Sequence, residues 1–361
     1  MNRRSFLSLV SSLALASMVS GCESQSDLQI ALLQGSLPIQ LIASLQKQYQ
    51  SLGIIDFKPQ ISIEEIYKIL LELPQAKDNT SWDLMTLGDY WLKDAIKNNS
   101  IEPLELDKLS NWGNIPPRFQ QLIIRDEEGN LSDNGKFWGA PYRWGYTMIA
   151  YRQDKFEALG WQPEDWEDLW RSNLEHRISL LNQPREIIGL ILKKLGYSYN
   201  TKNINSIPQV AQEFQTLQQQ VKFYDSINYL QPLIMGDTWL AVGWSTDILP
   251  IIKNHRNIKG IIPRSGTALW ADVWVKPKST PNQEEKLEKI SELINFCWQE
   301  TSAKQINLFT NGMSPLELNG KNNPKIPQMS PEIFAKSDFL EPLSPEELKQ
   351  YQAILELRIE N

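Results

Sequence analysis

Residues 28–88 decide the fold and have the sequence LQIALLQGSLPIQLIASLQKQYQSLGIIDFKPQISIEEIYKILLELPQAKDNTSWDLMTLG. Three short apolar runs in this stretch predict buried strands, and an amphipathic segment of helical period separates each from the next. The strands are predicted at 28–33, 57–61 and 82–88, and the helices begin near Pro38 and Ser62. This strand–helix alternation is the signature of a doubly wound α/β sheet, in which ligands bind beyond the carboxyl ends of the strands.

A second group of strands and helices follows a polar, hairpin-like insertion at residues 126–135. Its predicted elements are a strand in the later half of 138–151, helices at 184–195 and 207–221, a strand at 240–244 and a helix that ends near His255. Ser245, Thr246 and Asp247 are suitable caps for the last helix. These elements predict a second α/β lobe.

The composition excludes several classes of protein. The chain has 361 residues, 41% of them hydrophobic, and 36 Lys and Arg against 43 Asp and Glu give a net charge of -7. Such a chain forms a sizeable core in more than one domain, while its acidity disfavours a nucleic-acid partner. With only two Cys and two His, the usual zinc site lacks ligands.

Motifs of common enzyme classes are absent from the sequence. It contains no Gly-x-Ser-x-Gly elbow, no phosphate-binding glycine loop that ends in Gly-Lys-Ser/Thr and no His-Glu-x-x-His. Glu127 and Glu128 are adjacent in a polar loop and are not the facing pair that a glycosidase uses. We therefore expect a binding protein with no catalytic residues, no cofactor and no metal.

The first residues of the chain are typical of an export signal. Consecutive arginines precede an apolar stretch at residues 6–19, and the sequence Val-Ser-Gly before Cys22 resembles the bacterial lipoprotein box. The resemblance implies that residues 1–21 are a cleaved signal peptide and that Cys22 carries a lipid, with 22–27 as a tether. The arginine pair also resembles a twin-arginine export signal. We expect a periplasmic, membrane-anchored lipoprotein.

Several motifs along the body of the chain resemble one family. They are Asp83 to Tyr90, Pro141-Tyr-Arg-Trp-Gly145, Leu195-Gly-Tyr-Ser-Tyr-Asn-Thr201, Gly243-Trp244 and Leu269-Trp-Ala-Asp272. In order and spacing they are similar to the spermidine/putrescine-binding periplasmic proteins, which are bacterial extracellular solute-binding proteins of ABC transporters. The resemblance covers nearly the whole mature chain, although no single motif decides it.

The resemblance implies a two-lobed periplasmic binding protein fold of type II, with crossing strands between the lobes. Lobe one is expected at residues 24–145 and 271–315, and lobe two at 146–270 and 316–361. The ligand is held in the cleft between them, which closes by a hinge motion. The implied partners are a small cationic solute and the permease subunits of an ABC importer, and the protein itself is expected to be a monomer.

The resemblance also implies five ligand-binding residues. The family has a cleft tyrosine at the position of Tyr90, tryptophans over a methylene chain at Trp244 and Trp270, a carboxylate for an ammonium at Asp272, and a second-lobe acid at Glu186. These residue types also suit a linear polyamine without reference to the family. Its protonated nitrogens need carboxylates, and the apolar stems between them need flat aromatic faces. Asp272 also interrupts an apolar run, so a partner is required for it.

The sequence departs from the family pattern at four positions. Leu33 and Ser36 stand where the family's first cleft loop has a Trp and a Tyr, Gln183 stands in place of an acid, and a late tyrosine position falls near Gly312. A site with fewer acids neutralises fewer ammonium groups. We therefore expect a diamine in preference to a triamine, or else an entirely different solute.

Three further residues are candidate ligand contacts, namely Gln34, Arg143 and Gln183. Because Arg143 carries a positive charge that suits a carboxylate, an amino acid or another carboxylate stays open as the ligand. Two other classes also stay open: a sensor or scaffold protein without transport, favoured if Leu33 or Arg143 fills the cleft, and a periplasmic carbohydrate enzyme that uses its Trp side chains as sugar platforms.

Overall fold

A computed structural model describes residues 26–49, 52–73, 82–278, 284–316 and 326–357. The predicted signal peptide and the predicted lipidation of Cys22 lie outside these residues. Within the described ranges, no helix is long and apolar enough to cross a membrane.

The first part of the chain forms the predicted α/β unit. Its elements are β1 (Leu28–Leu33), α1 (Ile39–Gln48), β2 (Ile55–Gln60), α2 (Ile63–Glu72) and β3 (Leu84–Gly88). Strand β1 lies between β2 and β3 and is parallel to both. Helix α2 begins where Ser62 accepts a hydrogen bond from the Glu65 backbone nitrogen at 3.1 Å, since this satisfies a free N–H of the first turn. The carboxyl ends of the three strands therefore share one edge.

Several short elements follow β3 and lead to the long strand β7. They are α3 (Leu92–Lys97), β4 (Ile101–Glu102), α4 (Pro117–Ile123), β5 (Ile124–Arg125), β6 (Lys136–Phe137) and β7 (Ala140–Arg152). Strands β5 and β6 are antiparallel and enclose the polar segment that the sequence predicts to be hairpin-like.

The second part of the chain forms another α/β unit, as predicted. Its elements are α5 (Gln153–Leu159), β8 (Ile178–Leu180), α6 (Pro184–Lys194), α7 (Gln209–Gln220), β9 (Val221–Tyr224), α8 (Gln231–Met235), β10 (Leu240–Trp244), α9 (Ser245–Asn254) and β11 (Ile258–Ile261). Strand β8 is parallel to β10 and β9. The predicted helices at 184–195 and 207–221 are confirmed, each with slightly shorter bounds.

Two long antiparallel strands join the units. They are β7 and β12 (Ala268–Pro277). The first half of β7 pairs with β12, while its second half pairs with β10 and β11. The sheet consequently runs through both units in the order β2-β1-β3-β12-β7-β10-β8-β9.

The C-terminal elements pack onto both units. They are α10 (Glu284–Cys297), α11 (Glu300–Phe309), α12 (Pro331–Lys336), β13 (Asp338–Phe339) and α13 (Pro345–Leu355). Phe334 of α12 joins the larger apolar cluster, which fills the first unit and extends to α8, α9 and parts of β10 and β11. Tyr351 and Ile354 of α13 join a second cluster, which lies in the second unit. Two α/β units joined by crossing strands make this the two-lobed α/β fold that the sequence predicts.

Candidate ligand-binding site

The candidate site lies on one face of the crossing strands. Arg143 on β7 is opposite Asp272 on β12, and Gly145 is opposite Trp270. Two residues further along β7, Thr147 is opposite Trp244 at the end of β10. Alternate residues of a strand share one face, so the strand pairing gathers three predicted contacts, Trp244, Trp270 and Asp272, in one row.

Glu186 stands at one end of this row. It lies in the first turn of α6 and is only 6% exposed. The Thr147 hydroxyl is 3.0 Å from both carboxylate oxygens, and Trp244 Nε1 donates to Oε1 at 3.2 Å. Burial raises the pKa of Glu186, since a desolvated carboxylate is costly to ionise. Within the described part of the chain, this carboxylate forms no ion pair.

Asp272 stands at the other end, and the partner that its burial requires is Arg143. Arg143 Nη1 lies 2.7 Å from Asp272 Oδ2, and both residues are buried. Burial raises the pKa of Asp272, while the Arg143 guanidinium acts in the opposite direction. The carboxylate that the family resemblance assigns to a ligand ammonium is therefore already held by a cation of this chain.

The two tryptophans between these ends supply half-buried aromatic faces. A Cβ atom added at Gly145 would lie 2.2 Å from Trp270 Cζ2, so the Trp270 ring lies directly over the glycine. The absence of a side chain at Gly145 thus leaves Trp270 room to lie across β7. Trp244 is fixed by its bond to Glu186, and its backbone nitrogen donates to the Tyr229 hydroxyl at 3.2 Å.

The remaining predicted residues stand at element ends. Tyr90, in the turn that follows β3, is half-buried and contacts Trp91 edge-on at 5.2 Å between ring centroids. Gln34 follows the end of β1 and Gln183 precedes α6, and both are exposed. Of the two departures in the first cleft loop, Leu33 is half-buried, and the buried Ser36 accepts a hydrogen bond from the Tyr142 hydroxyl at 2.9 Å.

The sequence interpretation missed a third carboxylate near this face, that of Asp247. It lies in the first turn of α9 and accepts a hydrogen bond from the Tyr229 hydroxyl at 2.9 Å. Burial raises its pKa, and the charge of Arg143 opposes this effect. The sequence pattern indicates Asp247 only as a helix cap, although it follows the carboxyl end of a strand, where ligands of α/β sheets bind.

A fourth carboxylate, Asp89, lies near Asp272 and bonds to the backbone beside it. Its Oδ1 accepts a hydrogen bond from the Ala271 nitrogen at 2.8 Å, and its Oδ2 is buried without a partner among the described residues. Burial raises the pKa of Asp89 from 3.8 to about 7, with Arg125 opposing and Asp272 adding to the shift. A proton is therefore held at Asp89 well above the usual range of a carboxyl group.

Stability should fall as the pH rises from about 4 to about 7, because folded Asp89 keeps its proton over this window while the unfolded chain has released it. Each unit of difference in pKa corresponds to about 1.4 kcal/mol in the free energy of unfolding. Urea unfolding at several pH values should show this decline, and Asp89→Asn should make it less steep. An equally steep decline in the variant would assign the effect to other groups.

The fold and the site together define a class of protein, the two-lobed solute receptor. Residues 79–342 match the family model of the bacterial extracellular solute-binding proteins. The chain belongs to this family, whose members bind solutes and are not enzymes, as the sequence predicts.

Two relatives of known ligand class are similar to this chain over most of its length. The spermidine/putrescine-binding periplasmic protein of Salmonella typhimurium is 25% identical over 267 residues, 72% of each chain. The putrescine-binding periplasmic protein PotF of Escherichia coli is 25% identical over 261 residues, 67% of this chain and 69% of that relative.

Solved structures show the same fold. The substrate-binding protein PotD of Streptococcus pneumoniae has a TM-score of 0.76 at 21% identity, over 91% of this chain and 97% of that one. The Tp0655 lipoprotein of Treponema pallidum has a TM-score of 0.71 at 19% identity, over 91% and 98%. The predicted type II binding-protein fold is thereby confirmed.

Proposed function

We propose that this chain is the substrate receptor of an ABC importer and that it binds a polyamine-type cation between its lobes. The observation that carries the proposal is the buried carboxylate of Glu186, whose hydrogen-bond donors, Thr147 and Trp244, are both neutral. A buried carboxylate is costly unless a cation joins it. A ligand ammonium supplies that cation.

The neighbouring groups suit the rest of such a ligand. Trp244 and Trp270 offer aromatic faces to an ammonium or a methylene chain, and each such contact is worth about 0.5 to 2 kcal/mol. Asp247 offers a second carboxylate, and Tyr90 extends from the end of β3 in the other lobe. Exposed Gln34 and Gln183 are proposed as outer contacts at the edges of the cleft.

The relatives support this ligand class. The names of the Salmonella and Escherichia proteins state that they bind spermidine or putrescine. The segments that carry Glu186, Trp244 and Asp272 lie inside the match to the family model at residues 79–342.

The proposal includes the setting of the receptor. Residues 1–21 are removed, and a lipid on Cys22 anchors the monomeric protein to a membrane from the periplasm, with the twin-arginine pathway as a candidate export route. The lobes are 24–145 with 271–315 and 146–270 with 316–361, and their closure over the solute prepares its delivery to the permease subunits.

Isothermal titration calorimetry of the full-length chain in detergent tests the proposed ligand class. Putrescine should bind with a dissociation constant in the micromolar range, about 8 kcal/mol in free energy. Butane-1,4-diol has the same carbon chain without charge and should give no saturable heat, because it cannot neutralise Glu186.

A further inference from the structure

The guanidinium of Arg143 makes the contacts in the site that a bound cation would make. Its guanidinium donates to Asp272 at 2.7 Å and lies 5.3 Å from the centroid of the Trp270 ring. A carboxylate and an aromatic face are the two groups that recognise an alkyl ammonium. Here both are in contact with a side chain of the protein.

The fold makes room for this side chain at Gly312. A Cβ atom added there would lie 2.5 Å from Arg143 Nε and 2.8 Å from its Cγ, so even an alanine would collide with the arginine. Gly312 has no positive φ angle, and its backbone therefore does not itself demand glycine. The glycine is explained by the space that Arg143 fills.

The charges on this face can be counted from the described residues. Glu186, Asp247 and Asp272 contribute three carboxylates, and Arg143 contributes one fixed positive charge. Two formal negative charges remain for the ligand, because Arg185, whose charge also acts on Glu186, donates its hydrogen bonds to other residues.

The length of the row, like its charge, limits the ligand to a small number of cationic groups. Arg143 and Thr147, the residues that hold Asp272 and Glu186, are four positions apart on β7, or about 13 Å in an extended strand. Arg143 fills the Asp272 end of this row but leaves the Glu186 end unfilled, so it does not fill the whole row as a scaffold protein without a ligand would require. A cation that starts at Glu186 therefore has only the nearer part of the row to occupy.

We infer that Arg143 is a built-in cation that replaces one ammonium group of the ligand, so that the site selects an aliphatic diamine over a triamine. This inference rests on the proposed function and adds the residue that sets the number of ligand charges. Arg143 acts on specificity through Asp272, without a contact of its own to the ligand.

The test is the ratio of putrescine affinity to spermidine affinity, measured by calorimetry on the full-length chain and its variants. The unaltered chain should prefer putrescine. Arg143→Leu releases Asp272 and should shift the ratio toward spermidine by at least about tenfold, the size of one charge-assisted bond. Arg143→Lys keeps the positive charge and should keep the preference for putrescine.

Two further variants separate charge release from loss of folding. Arg143→Leu combined with Asp272→Asn leaves no unpaired buried charge, and the ratio should return toward that of the unaltered chain. Gly312→Ala changes no charge but displaces Arg143, and it should shift the ratio in the same direction as Arg143→Leu. Circular dichroism verifies that each variant is folded.

The outcomes distinguish this inference from the proposed function. If the unaltered chain binds neither amine, the proposed function fails. If it binds amines and the folded Arg143→Leu and Gly312→Ala variants leave the ratio unchanged, the proposed function stands and the inference is overturned. Tighter binding of 4-aminobutyrate than of putrescine, lost in Arg143→Leu, would also overturn it, since the guanidinium would then bind a ligand carboxylate.

Discussion

Glu186→Gln should weaken putrescine binding at least about 30-fold, because it removes the buried charge that a ligand ammonium meets. Loss of one partner of a buried, hydrogen-bonded charge pair costs about 2 to 5 kcal/mol. Glutamine has nearly the same shape, and its amide oxygen can still accept hydrogen bonds from Thr147 and Trp244. The hydrogen bonds around residue 186 are thus preserved while its charge is lost, and calorimetric titration reports the difference.

A matched control separates this effect from the net charge of the protein. Glu175 is an exposed acid of the same lobe, and Glu175→Gln makes the same change in net charge. We expect it to leave the putrescine affinity nearly unchanged, because exposed charges are screened by solvent and salt. Equal affinities of the Glu186→Gln variant and the unaltered chain would place Glu186 outside the site.

Asp272→Asn should lower the free energy of unfolding by about 3 to 5 kcal/mol, because the guanidinium of Arg143 would remain buried without its carboxylate. The two residues are 6% and 3% exposed, so water cannot replace the lost partner. We therefore expect the main effect of this variant to be a loss of stability. Specificity is measured separately, by the ratio of putrescine affinity to spermidine affinity. Urea unfolding of the ligand-free chain measures the stability effect.

The double variant Arg143→Met with Asp272→Asn tests the origin of that loss. Replacement of a whole buried ion pair by uncharged residues is often neutral or stabilising. We therefore expect the double variant to recover most of the stability lost in Asp272→Asn. If both variants lose the same stability, the loss comes from packing around β12 and not from the unpaired guanidinium.

Local sequence patterns were sufficient to predict the α/β units. The apolar runs at 28–33 and 82–88 could be interpreted as buried strands from composition alone, and Ser62 marked the start of α2, as the structure confirms. The order of motifs along the chain was enough to predict the family, because the matching segments lie far apart and keep their spacing.

The pairing at the centre of the site was not predictable from local patterns. Arg143 and Asp272 are 129 positions apart, and only the register of β7 against β12 places them opposite each other. The sequence indicates that buried Asp272 needs a partner and that Arg143 carries a positive charge suited to a carboxylate, but nothing local links the two residues. The need for glycine at position 312 was not predictable from local patterns either, because it depends on how close the fold brings this loop to Arg143 on β7.

Some site residues follow from the family resemblance, some stay predictions, and one was missed. Glu186 and Trp244 were named from the family resemblance alone, and the structure adds their mutual hydrogen bond at 3.2 Å. Tyr90 and Trp270 remain predictions that concern the bound state. Asp247 was missed because an acid in a first helical turn also has an ordinary role beside the helix dipole.

The putrescine titration of the unaltered chain tests the central claim most directly, because it asks whether this face of the crossing strands receives a cation. Saturable heat at one ligand per chain, with micromolar affinity and no response to butane-1,4-diol, is the predicted result. A folded chain that gives no heat with putrescine or spermidine at millimolar concentration would contradict the assignment of a polyamine-type ligand.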